Sequence, residues 1–111
     1  STAWSSITAG TGRLPAVMLD HAVEQLIRQS IRATPAGNFL ALPPEQANQL
    51  VEQVERIVED QARHPLAVVA SMDVRRYVRR MIEARLDWLE VYSFQELGAD
   101  VQLQPIGRVI A

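Results

Sequence analysis

The chain has 111 residues, 48% hydrophobic and 22% charged, with 11 basic side chains against 13 acidic ones and no cysteine. A chain of this size can bury about 65% of its unfolded surface in one core, and without cysteine it has neither disulfides nor a thiolate metal site. A formal charge of −2 argues against a domain built mainly to grip phosphate backbones.

Residues 1–13, "STAWSSITAGTGR", are rich in Ser, Thr and Gly, lack an apolar period, and read as a flexible linker or an expression remnant. With no initiator methionine, this start suggests a piece cut from a longer chain. "AGTG" is no phosphate loop, because it lacks the Lys-Ser/Thr end and a preceding strand. "RLPAVMLD" is short enough to be a strand, and Pro15 limits it to an edge or a strand beginning. Asp20 is a good N-cap for "HAVEQLIRQSIR", where Val23, Leu26, Ile27 and Ile31 share one helical face. "ATPAG" ends that helix, and "NFLAL" predicts a strand.

"PPEQANQLVEQVERIVEDQA" carries the clearest helical period, Ala47, Leu50, Val51, Val54, Ile57 and Val58, with Pro44 suited to the first helical position. Its outer carboxylates, Glu52, Glu55, Glu59 and Asp60, form a soluble face and show no spacing for a shared metal. "LAVVAS" is apolar on both faces, which predicts a mid-sheet strand. Asp73 is expected to cap the helix that follows.

In "SMDVRRYVRRMIEARL", Val74, Tyr77, Val78, Met81, Ile82 and Leu86 fall on one stripe at 100° per residue. Arg76, Arg79 and Arg80 lie opposite it, with Arg75 on the border. The tyrosine therefore faces inward and is not interleaved for base stacking. Glu83 stands where it can pair with Arg79 or Arg80. Arg85 projects from the apolar stripe and is expected to snorkel or to pair with Asp87 or Glu90. "WLEVYSF" alternates as a half-buried strand, with Trp88 expected to cover the helix end; exposed, it would suit a protein-binding hot spot. "QELGAD" turns, and in "VQLQPIGRVI" Pro105 and Gly107 mark an edge or a bulge. The order β-α-β-α-β-α-β-β predicts an α/β layered domain, a mixed sheet packed by amphipathic helices.

Chemistry has little foothold in these residues. His21 and His64 lack a Cys or His partner at ligand spacing, no serine sits in a Gly-x-Ser-x-Gly elbow, and no catalytic, cofactor-binding or metal residue is assigned. No run reaches the roughly 20 apolar residues of a membrane span. The candidate partner-docking set is Arg75, Arg76, Arg79, Arg80 and Glu83; a small nucleic-acid-binding module using the same helix is the alternative.

"VMLDHAVEQLIRQSI", "FLALPPEQANQLVEQVERIVE", "LAVVASMDVRRYVRRMIEARL", "LEVYSFQEL" and "VQLQPIGRVI" together resemble the C-terminal cytosolic subdomain of the type III secretion export-gate proteins. That family includes FlhA of flagella and InvA (SctV) of injectisomes. The resemblance runs from Arg13 to Ile110, and "QPIGRV" favours the injectisome branch. Pro43 and His21 depart from the family pattern, the first leaving a helix without its N-cap. The resemblance implies that residues 14–111 are the last α/β subdomain of a larger cytosolic region. It implies a non-enzymatic part in protein export, with ring neighbours, the ATPase stalk and chaperone–substrate complexes as partners. It places the parent in the bacterial inner membrane, held there by segments outside this chain, and the isolated piece would be monomeric.

Overall fold

The computed structural model describes residues 12–61 and 65–111. Residues 1–11 of the expected linker and His64 lie outside the described residues. The elements are β1 (Arg13–Leu19), α1 (His21–Gln29), β2 (Ile31–Thr34), β3 (Gly37–Leu40), α2 (Pro44–Glu59), β4 (Ala67–Ala70), α3 (Met72–Ile82), β5 (Glu90–Ser93), α4 (Phe94–Leu97) and β6 (Gln102–Val109).

The layered α/β class holds, and the two strand senses are kept apart. β5, β4, β1 and β6 lie in that order in one sheet whose neighbours are all parallel. Each link between these strands carries a helix, which lets the chain return to start the next strand in the same direction. The antiparallel pair is a separate hairpin, with Ile31 opposite Leu40 and Thr34 opposite Gly37.

That hairpin corrects the sequence reading of the first helix. α1 stops at Gln29, and Ile31 opens a strand where a continuing helix was expected. The Ser30 hydroxyl donates to the Leu26 carbonyl at 2.8 Å, closing the last turn. Ile31 and Leu40 both lean on the main core, so pairing them across a hairpin buries both ends of the excursion. Pro15 takes the second of its two expected places, the strand beginning, since β1 is flanked by β4 and β6 and is not an edge. The ladder to β4 begins at Ala16 opposite Ala67, so the proline precedes it and breaks none of its rungs.

β4 is mid-sheet with all four residues buried, as its unbroken apolar run predicts. β6 is an edge strand, and its pairing skips from Ala16–Pro105 to Val17–Gly107, leaving Ile106 as the extra residue of a bulge. Helices α1, α2 and α3 supply Val23, Ile27, Leu50, Val54, Val78 and Ile82 to a core on one sheet face, with Val17, Val68 and Val91 beneath. On the other face Leu97 of α4 packs with Leu14, Ala16, Ala67 and Val69. The segment from β5 to β6 thus crosses beneath the sheet from one edge to the other.

Candidate partner-docking face

α3 begins without a side-chain cap from its own N-cap residue. Ser71 holds the N-cap position in extended backbone, yet its hydroxyl makes no cap bond to the helix. The expected cap, Asp73, lies inside the first turn. A carboxylate from α1 takes the job: Glu24, only 8% exposed, accepts from the Ser71 amide at 2.8 Å and from the Ser71 hydroxyl at 2.6 Å. Asp73 pairs sideways instead, its two oxygens accepting from the Arg28 guanidinium at 2.6 and 3.1 Å. Those hydrogen bonds hold the Asp73 carboxyl below its usual range and raise Arg28 above its own.

A depressed carboxyl stabilises the fold above its ordinary pKa and loses that contribution as pH falls through the depressed value. The pair is partly solvated, so its worth is below about 1 kcal/mol. Asp73→Asn should therefore reduce stability in neutral urea titrations and make little difference once the pH is below the carboxylate range.

The apolar stripe of α3 is buried as expected, with Val74, Tyr77, Val78, Ile82 and, past the helix end, Leu86 in the core. The candidate residues lie on the outer side but do three different things. Arg75 is half-buried and reaches Glu96 at 3.9 Å; Glu83 is exposed and lies 3.9 Å from Arg79. Arg79 donates to the Leu89 carbonyl and, at 3.0 Å, to that of Asp87, which makes it a structural side chain. Arg76 and Arg80 are exposed. Arg76 lies over the Tyr77 ring, 4.9 Å from its centroid, and donates to the Tyr77 hydroxyl at 2.8 Å. Arg80 has no hydrogen-bond or ionic partner among the described residues.

Two expectations at the end of this helix are overturned. Arg85 pairs with Glu55 of α2 and not with Asp87 or Glu90, because α3 has already ended at Ile82 and the turn directs residue 85 toward its neighbour. Trp88 does not cover the helix end; it is 56% exposed while Leu86 and Leu89 on either side are buried.

An open groove of about 590 Å³ lies where β4 and β5 run into α3 and α4, lined by Met72, Asp73, Arg75, Arg76, Ser93, Gln95 and Glu96. The turn into α4 is a capping box: Ser93 accepts from the Glu96 amide at 3.3 Å, and Glu96 accepts from the Ser93 amide at 2.7 Å. The Ser-x-x-Glu spacing was the sequence signal for it. Burial, with Glu90 and Glu96 nearby, pushes the Tyr92 phenol up. Among the described residues no three His, Cys, Asp or Glu side chains gather as a metal site, and no helix is long and apolar enough to cross a membrane.

Comparison with known proteins places these features in a family. The FHIPEP family matches residues 2–102. Over 103 residues, 93% of this chain, the sequence is 90% identical to protein hrpC2 of Xanthomonas euvesicatoria. Over 106 residues it is 50% identical to the hypersensitivity response secretion protein HrcV of Ralstonia nicotianae. The chain spans 16% and 15% of the lengths of those two relatives. The fold is similar to nonameric EPEC SctV-C, with a TM-score of 0.81 and 32% identity over 91% of this chain and 30% of that one. It is equally similar to a chain in the complex of the Chlamydia pneumoniae CdsV and CdsO proteins, with a TM-score of 0.81 and 34% identity over 92% of this chain and 31% of that one. None of these matches supports the nucleic-acid alternative.

Proposed function

The chain belongs to the FHIPEP family, on its injectisome branch, and from that premise we propose that it is the last cytosolic subdomain of an export gate in a bacterial type III secretion system. Its part is non-enzymatic: it helps dock the ATPase stalk and chaperone–substrate complexes on the cytoplasmic side of the inner membrane. Residues 14–111, with Arg13 at the start of β1, make up the subdomain, and the membrane-spanning part of the parent lies outside this chain.

The observation that carries this reading is the match to CdsV in its complex with CdsO. A subdomain of the same fold, in a relative solved with a bound protein, supports a surface for protein contact. The nonameric assembly of SctV-C supports a ring for the parent. The isolated chain sediments as a monomer of 12.4 kDa on this reading, because the main ring contacts belong to parts of the parent outside this chain. The test is to pass the CdsO counterpart from the same genome over the immobilised chain. Saturable binding in the micromolar range is expected, and a flat response would count against the docking role.

A further inference from the structure

Arg79 is an unusual use of a guanidinium. It donates to the carbonyls of Asp87 and Leu89, the residues on either side of Trp88. Leu86 and Leu89 are sunk in the core and tie the loop down from below. The backbone on either side of the indole is thus tied down, while the ring itself is 56% exposed. An exposed tryptophan on a tied backbone suits an anchor, because the loop need not be ordered when a partner covers it.

Arg76 and Arg80 stand one helical turn apart on the same side of α3. The other two arginines of the helix have carboxylates, Arg75 with Glu96 and Arg79 with Glu83. Arg76 and Arg80 have none, although all 13 acidic residues of the chain lie among the described residues. Stacking on Tyr77 and a hydrogen bond to its hydroxyl orient Arg76, which stays exposed. Two guanidiniums without a carboxylate partner, at this spacing, match two carboxylates one turn apart on a facing helix.

The face changes sign toward its other end. Glu83, Asp87 and Glu90 are exposed around the helix end and the Trp88 loop. A continuous polyanion would meet attraction at Arg76 and Arg80 and repulsion at these carboxylates, so a nucleic acid or an anionic bilayer fits only half the face.

We infer that Arg76, Arg80 and Trp88 form the docking surface for an amphipathic helix of a partner protein, with carboxylates opposite the two arginines, an apolar pocket for the indole and a basic side chain toward Glu83 and Asp87. The inference rests on the docking role proposed above and adds which side chains read the partner and in what charge order.

The experiment measures binding of the CdsO counterpart to the chain and to Trp88→Ala, the double variant Arg76→Glu/Arg80→Glu, and the control Glu45→Gln on the far helix α2. All three sites are exposed, so melting temperatures should stay near that of the parent. Trp88→Ala should weaken binding about tenfold to thirtyfold and the double reversal at least as much, with the control unchanged. Weakening should grow with salt in the parent and flatten in the double variant. Reversing a pair of partner glutamates to arginine should restore binding to the double variant. If all variants bind like the parent, this surface is wrong while the docking role stands. If the parent chain binds nothing, both fall. If polyuridylate binds the parent as tightly as the protein does, the partner class is wrong.

Discussion

Replacing Glu24 with alanine is expected to cost about 2–3 kcal/mol of stability, a drop in melting temperature of about 10 °C for a chain of this length. The reason lies in how α3 starts. A capping box would need a glutamate or glutamine at the third helical residue to accept from the N-cap amide. That residue is Val74, which is fully buried and cannot serve. Glu24 replaces it from across the helix layer, accepting from both the amide and the hydroxyl of Ser71, while Arg28 reaches the same carboxylate at 3.3 Å. Truncation would leave the Ser71 amide without its acceptor and take from Arg28 one of its three acceptors, leaving Gln25 and Asp73. Glu24→Gln keeps one acceptor oxygen and should lose about 1 kcal/mol. Paired urea unfolding curves decide the point, and an alanine variant within 0.5 kcal/mol of the parent, about the effect of an ordinary surface change, would refute the capping role.

Gly107→Ala should be nearly as damaging, by about 1–3 kcal/mol through overpacking. A Cβ at this position would sit 2.7 Å from Cγ2, 2.8 Å from Cγ1 and 2.9 Å from Cδ1 of Ile57. The first two atoms hang on a β-branched centre within α2, where χ1 has essentially one allowed rotamer and cannot swing aside. α2 would have to back away from β6. Gln53 resists that, because its amide group donates to the Ile110 carbonyl at 2.7 Å and accepts from the Ile110 amide at 2.9 Å. The sharp test is a double-mutant cycle. In an Ile57→Ala background the added methyl has room, so Gly107→Ala should cost close to nothing there, and simple additivity would show that the glycine is needed for some other reason.

How much of this was readable beforehand depends on the kind of interaction involved. The faces of α2 and α3 followed from apolar spacing alone, since burying a stripe is a local property of the helical period. The mid-sheet position of β4 followed from its lack of polar residues, and the bulge in β6 from Pro105 and Gly107. The hairpin is not legible locally, because Ile31 continues the spacing of Ile27; only the presence of Leu40 across the turn makes a strand the better way to bury it. The capping box at Ser93 is legible in its Ser-x-x-Glu spacing, where the sequence reading gives only a turn.

The candidate face divides along the same line. Arg75, Arg76, Arg79, Arg80 and Glu83 were brought to one helix side by periodicity, and there they are. Which of them is free for a partner was not readable, because a long charged side chain pairs with whatever the fold brings within reach. Arg79 went to the backbone around Trp88, Arg85 to Glu55, and Asp73 to Arg28. By itself, then, the sequence determined the α/β class, the helix faces, the central strand and the family resemblance, all consequences of short-range pattern and apolar burial. The tertiary structure alone decided the partners of each charge, the exposure of Trp88 and the capping of α3 by Glu24. These depend on distances between residues far apart in the chain, which no local period encodes.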